Sequence, residues 1–145
     1  MKIRLKKQNG HKAFTLVELV VVVIIIGILA SLGIVSYRKV IMRAKAGKAK
    51  NAISLIAEAE KIHRVDSGSY VNVAFDAINA TIGANHTGMD LASVDSDTDF
   101  RYRVTGTNLI RGRPRAVIGT CPANNAGEIR YTLSTGIWTI PACYK

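Results

Sequence analysis

Lys12-Ala13-Phe14-Thr15-Leu16-Val17-Glu18, running straight into Leu19-Val20-Val21-Val22-Val23-Ile24-Ile25-Ile26-Gly27-Ile28-Leu29-Ala30, decides how this chain is read. From Phe14 to Val35 the only ionisable side chain is Glu18. A helix over residues 14–35 would be about 33 Å long at ~1.5 Å per residue, enough for the hydrocarbon core of a bilayer. Gly27 and Gly33 are tolerable there, because lipid leaves an unwound backbone without partners. A carboxylate within such a span is costly and is normally paired or functional. The run has no basic residue of its own to pair with Glu18. An α-amino group on Phe14 would serve, and it exists only if the bond between Ala13 and Phe14 is cut. The same amine on a neighbouring copy would neutralise both charges and fix the stagger between subunits. A conventional signal peptide, cut after Gly33, is the plainer alternative. The length of the apolar run and the acid inside it both count against it.

Charge is distributed unevenly along the 145 residues, whose formal net charge is +10. Residues 1–13 carry Lys2, Arg4, Lys6, Lys7 and Lys12 and no acid. Residues 38–64 are strongly basic, with Glu58 and Glu60 the only acids, whereas basic and acidic residues balance from Val65 onward. The excess thus belongs to a leader and a stem rather than to a globular surface, which argues against a nucleic-acid partner. Basic residues flank the apolar run on both sides, so charge alone does not orient it. Cys121 and Cys143 do so: a disulfide persists outside the cytosol, which puts the C-terminal part outside and residues 1–13 inside.

The segment Ala13-Phe14-Thr15-Leu16-Val17-Glu18 with its apolar run resembles the N-terminal signature of type IV prepilins and the related pseudopilins of type II secretion. The resemblance is close over residues 11–37. It implies cleavage between Ala13 and Phe14 by a prepilin peptidase, N-methylation of Phe14, and a register role for Glu18 in a helical homopolymer. It also implies an inner-membrane protein with its head outside, later drawn into a surface filament by assembly machinery that this chain does not encode. Ala13 stands where the family usually has glycine, and Val35 where it often has proline. Proline would break the helix there, so the sequence leaves helix continuity at Val35 open.

Beyond the run, Tyr37, Val40, Ile41 and Ala44, then Ala52, Ile53, Ile56, Ala59, Ile62 and His63, suggest an amphipathic stem over residues 36–66. Its basic cluster, Arg38, Lys39, Arg43, Lys45, Lys48 and Lys50, suits anionic lipid head groups, acidic groups of neighbouring copies in a filament, or plain solvent. His63 reads as a packing residue. Gly68 marks the helix end as a left-handed cap. Residues 67–99 read as a connecting loop with one short helix between Phe75 and Ile82. Asn79 and Asn85 begin weak glycosylation sequons, and Asp95, Asp97 and Asp99 resemble the start of a calcium loop without its glycine or closing glutamate.

Residues 100–145 read as four antiparallel strands: Phe100–Thr105, Ala116–Ile118 behind a breaker at Gly112–Pro114, Ile129–Ser134 and Ile137–Ile140. The fold class is α+β, a long N-terminal helix packed on a four-stranded antiparallel sheet, which is also the architecture the resemblance implies. His11, His63 and His86 lie far apart, and no phosphate loop or metal motif is present, so no catalytic residue, metal site or cofactor is expected. The expected role, as the resemblance implies, is the major pilin of a type IV pilus, a structural subunit serving adhesion, motility or DNA uptake, with a type II secretion pseudopilin as alternative. A DNA-binding minor pilin using Arg101, Arg103, Arg111, Arg113, Arg115 and Arg130 ranks below both, since nearby aspartates would balance those arginines.

Overall fold

A computed structural model describes residues 14–83, 87–106 and 108–145, with the side chains of Leu32, Gly33 and Val35 outside the description. The leader 1–13 with Ala13 and His11, the sequon residue Asn85, His86, and the environment of Val35 therefore lie outside the described residues. The chain divides into two compact units, with the boundary in the sequence between Ser36 and Tyr37.

Helix α1 runs Leu16–Ser67. In the first unit, every side chain described from Phe14 to Ser31 is exposed. Among the described residues, no single helix is long and apolar enough to cross a membrane, whereas Leu16–Ser31 and Ser36–Ser67 pass together by length and composition. The single span expected over residues 14–35 is not met by one helix among the described residues.

In the second unit, α1 buries Ala46, Ala49, Ile53, Ile56, Ala57, Ala59 and Glu60. Spacings of three and four put Ala46, Ala49, Ile53, Ile56 and Glu60 on one face, with Met42 extending it at the margin of the core. Tyr37 and Val40, expected on the buried stripe, are 67% and 61% exposed. The alanines win that face because their small side chains let the helix approach closely. The helix stops where expected: Gly68 takes φ 81° and donates its amide to the Arg64 carbonyl at 2.9 Å.

The segment 67–99 is more ordered than a plain loop. Helix α2 (Ile78–Ile82) and helix α3 (Ala92–Asp95) bury Ile78, Ile82 and Val94 in the core. Asp95 joins them, its two carboxylate oxygens each accepting an amide from the start of α2, Ile78 and Asn79, at 2.9 Å. Asn79 in turn accepts the Leu91 amide, so its side chain is committed to holding the loop and is poorly placed as a glycan acceptor.

The sheet is an antiparallel meander of β1 (Phe100–Thr105), β2 (Leu109–Pro114), β3 (Ile129–Thr132) and β4 (Ile137–Thr139) in sequential order. The second strand is not the apolar run Ala116–Ile118 but the stretch containing Gly112 and Pro114. Gly112 belongs there because Ile53 of α1 and Tyr102 of β1 press on it: a Cβ would meet each at 3.1 Å. Pro114 sits at the strand's last position, opposite Phe100, where a missing amide is tolerated. Ile118 instead closes a small bridge to Cys121 around Gly119, at φ 61°. One face of the sheet, with Phe100, Tyr102, Val104, Ile110 and Ile129, packs into the same core as α1. The other alternates to arginine and threonine.

Candidate functional site

The motif segment forms a local structure with its own chemistry. Thr15 is the residue before the first turn of α1, and Glu18 lies three residues on. The Glu18 Oε2 accepts the Thr15 amide at 2.9 Å and the Thr15 hydroxyl at 2.8 Å, while Thr15 Oγ1 accepts the Glu18 amide at 3.2 Å. This is a reciprocal capping box, in which each side chain satisfies an amide that the helix start would leave without a partner. The signal was present in the sequence as Thr15-x-x-Glu18, but a search for a cationic partner of Glu18 passes over it. Phe14, the residue expected to become the new terminus, is 78% exposed immediately before the box.

At the other end of the chain, Cys121 and Cys143 form the expected disulfide, with Cα atoms 5.4 Å apart. It joins the bridge at Ile118–Cys121 to a short 3-10 turn at Ala142–Tyr144. Tyr144 is buried there, tilted against Phe100, and burial pushes its hydroxyl up to about 12.

Of the aspartates that hinted at calcium, Asp95 holds the start of α2, and Asp97 and Asp99 hold the stem. Lys45 Nζ lies 2.6 Å from Asp99 and Lys48 Nζ 2.9 Å from Asp97. Asp97, almost wholly buried, also accepts the Asp99 and Phe100 amides and the Tyr102 hydroxyl. Burial penalises its charge, but the Lys48 ammonium and these donors outweigh that penalty and hold the carboxyl below its ordinary range. Among the described residues, no group of three or more His, Cys, Asp or Glu side chains could hold a metal. His63, partly buried, meets the Ser67 hydroxyl at 2.9 Å and belongs to the helix end.

The arginines are balanced differently from what the sequence suggests. Arg115 pairs with Asp76 and donates to the Asp97 and Phe100 carbonyls. Asp76 adopts a left-handed conformation, φ 60°. Three arginines of the sheet meet a glutamate, not the aspartates: Arg113 and Arg130 lie 2.9 and 3.3 Å from the buried Glu128, and Arg111 3.8 Å from it. Arg101 and Arg103 have no carboxylate within 4.0 Å among the described residues and stack on Phe75.

A sequence family described as the prokaryotic N-terminal methylation motif matches residues 8–34. Over 91 residues the chain is 31% identical to the type IV major pilin protein PilA of Myxococcus xanthus strain DK1622, covering 63% of this chain and 41% of that protein. The chain thus matches well under two thirds of that relative's length. No solved structure matches it. The class is that of chains carrying a prepilin-type N-terminal methylation motif. In its N-terminal motif the chain is similar to that type IV major pilin, and it combines the motif with a long helix and a four-stranded antiparallel sheet.

Proposed function

We propose that the chain is a filament subunit, anchored in the cytoplasmic membrane by residues 14–35 and cut by prepilin peptidase between Ala13 and Phe14. It is then methylated on Phe14 and assembled with copies of itself into a helical surface filament. The observation that carries this reading is the exposure of the apolar run. Leu16, Val17 and Leu19 are 79%, 68% and 60% exposed, and even the least exposed of the large residues described in the run, Val20, reaches 44%. At ~25 cal/mol per Å² of apolar surface, a run of this kind does not stay in water. Lipid before assembly and the equivalent segments of neighbouring copies after it are the two environments that satisfy it in turn. The Glu18 carboxylate then pairs with the new Phe14 amine and fixes the register.

The test is N-terminal sequencing and mass determination of the mature protein from sheared surface fibres. N-methylated Phe14 at the start of a fibre protein is the expected result. A mature chain beginning after Gly33, or one that keeps Met1, overturns the proposal. Recovery of the mature chain only from the periplasm, never in surface fibres, assigns it to a type II secretion pseudopilus instead.

A further inference from the structure

The first turns of the second unit bring exposed apolar side chains together with cations that nothing else engages. Tyr37 and Val40 on α1 are exposed, and so is Val117, at 67%, in the loop that follows β2. That loop is folded onto the stem: a Cβ on Gly119 would collide with the Met42 sulfur. The bridge from Ile118 to Cys121 and the disulfide to Cys143 hold it there. Two depressions flank Met42 as a result. One is lined by Arg38, Ile41 and Lys45 of α1 together with Val117, Ile118 and Gly119. The other is lined by Lys39 and Arg43 of α1 together with Thr120 and Cys143.

The basic cluster of the stem is not uniform. Lys45 and Lys48 pair with Asp99 and Asp97. Arg43 donates twice to the main-chain oxygen of Lys145, at 3.0 and 2.7 Å, and Lys50 lies 5.8 Å from the centre of the Trp138 ring. Arg38 and Lys39 have neither an ion pair nor a side-chain hydrogen bond among the described residues. Each lines one of the two depressions. At ~1.5 Å per residue, Tyr37 to Met42 covers about 8 Å of helix. The interfacial layer on each side of a bilayer core is about 5–8 Å deep. An aromatic ring beside cations, directly after an apolar run, is the composition of a membrane–water interface.

A second copy of this chain offers exposed acids in Glu58, Asp66 and Asp90, none of them paired with a cation among the described residues. Asp90 already accepts the Ala92 amide. Glu58 and Asp66 stand about 24 Å or more beyond Met42 along α1, at ~1.5 Å per residue. Copies anchored by the same segment share one depth, so a neighbour presents its own Arg38 and Lys39 at this level rather than those acids. We propose that this end of the second unit binds the head groups of anionic phospholipid, with Arg38 and Lys39 on the phosphates and Tyr37, Val40 and Val117 seated among them. The proposal rests on residues 14–35 being the membrane anchor.

The experiment places the full chain in nanodiscs of phosphatidylcholine with increasing phosphatidylglycerol and follows amide exchange in the segment 116–120. Reading that loop alone sets aside the cations of residues 1–13. Exchange should slow as phosphatidylglycerol rises. Arg38→Gln and Lys39→Gln should each weaken this response about fivefold, and Val117→Ser should lower the protection reached at every composition. Lys61→Gln, an exposed cation far along α1, should leave it unchanged. All four side chains are exposed, and unaltered exchange in β1 confirms that each variant is folded. A chain that does not co-purify with discs of either lipid overturns the anchor and, with it, the head-group contact. A chain held by both lipids but indifferent to phosphatidylglycerol overturns the head-group contact alone. So does protection by soluble glycerol phosphate in phosphatidylcholine discs, which assigns the depressions to free phosphate. Protection that follows the number of copies per disc rather than lipid charge assigns the surface to a second copy and overturns the proposal too.

Discussion

Glu18 Oε2 accepts both the amide and the hydroxyl of Thr15, at 2.9 and 2.8 Å. The acid in the apolar run therefore has a partner within its own chain before any cleavage takes place. It lies one residue beyond the amine to which the proposed ion pair would send it. Capping and ion pairing are separable, because glutamine closes a capping box as glutamate does but carries no charge. Glu18→Gln should keep the helix start, read as an unchanged far-ultraviolet spectrum in micelles, and still impair filament assembly. Glu18→Leu should lose both. Fibre yield at the wild-type level from Glu18→Gln would refute a role for the charge.

Thr15→Ala tests the other half of the box. Loss of an N-cap costs about 1 kcal/mol of helix stability. It should loosen the first turn of α1, seen as faster amide exchange at Val17 and Glu18, with no change in the sheet. Equal exchange in the two proteins would show that the cap is idle.

The pair Lys48–Asp97 predicts an acid limb to stability. The folded Asp97 carboxyl titrates below its unfolded range, so its stabilisation is fully present above that range. It is lost as pH falls through the folded value. Urea midpoints should decline on acidification, and Asp97→Asn should flatten that limb while costing roughly 1–3 kcal/mol at neutral pH. An unchanged acid limb in the variant would assign the decline to other groups.

Much of this protein is legible in its sequence, because its signals are local. The N-terminal methylation motif, the left-handed Gly68 cap and the strand alternation of Phe100–Thr105 each depend on a few adjacent residues. The failures come where a distant residue decides. Gly112 reads as a breaker until Ile53 and Tyr102 are seen against it. The buried stripe was displaced toward Ala46 and Ala49 because alanine weighs little in a hydropathy pattern yet permits the closest helix approach. Which carboxylate each arginine meets is likewise tertiary information. Asp95, Asp97 and Asp99 are near the arginines in sequence but face α2 and the stem lysines.

Gly112→Ala follows from that contact. The added methyl would meet the Ile53 and Tyr102 side chains at 3.1 Å, tighter than ordinary packing. A forced methyl in a packed core costs about 1–3 kcal/mol. The urea midpoint should fall accordingly. Gly112→Ala/Ile53→Val, which trims the opposing side chain, should recover part of the loss, and an equally stable single variant would show that the sheet yields without cost.

Glu60 predicts a dependence opposite in sign to that of Asp97. Its side chain is wholly buried, one oxygen accepts the Val71 amide at 3.1 Å, and the other has no partner among the described residues. Burial raises its affinity for a proton more than the Val71 amide and nearby His63 lower it. For a carboxyl raised on folding, the stabilisation is greatest below the unfolded value and is lost as pH climbs through the folded one. Glu60→Gln removes the charge while keeping an acceptor for Val71. It should therefore raise the urea midpoint at neutral pH, with the gain shrinking as the wild-type carboxyl protonates in acid. A gain of the same size at every pH would assign it to packing rather than to the buried charge, and a loss at neutral pH would show that the charged carboxylate is stabilising where it sits.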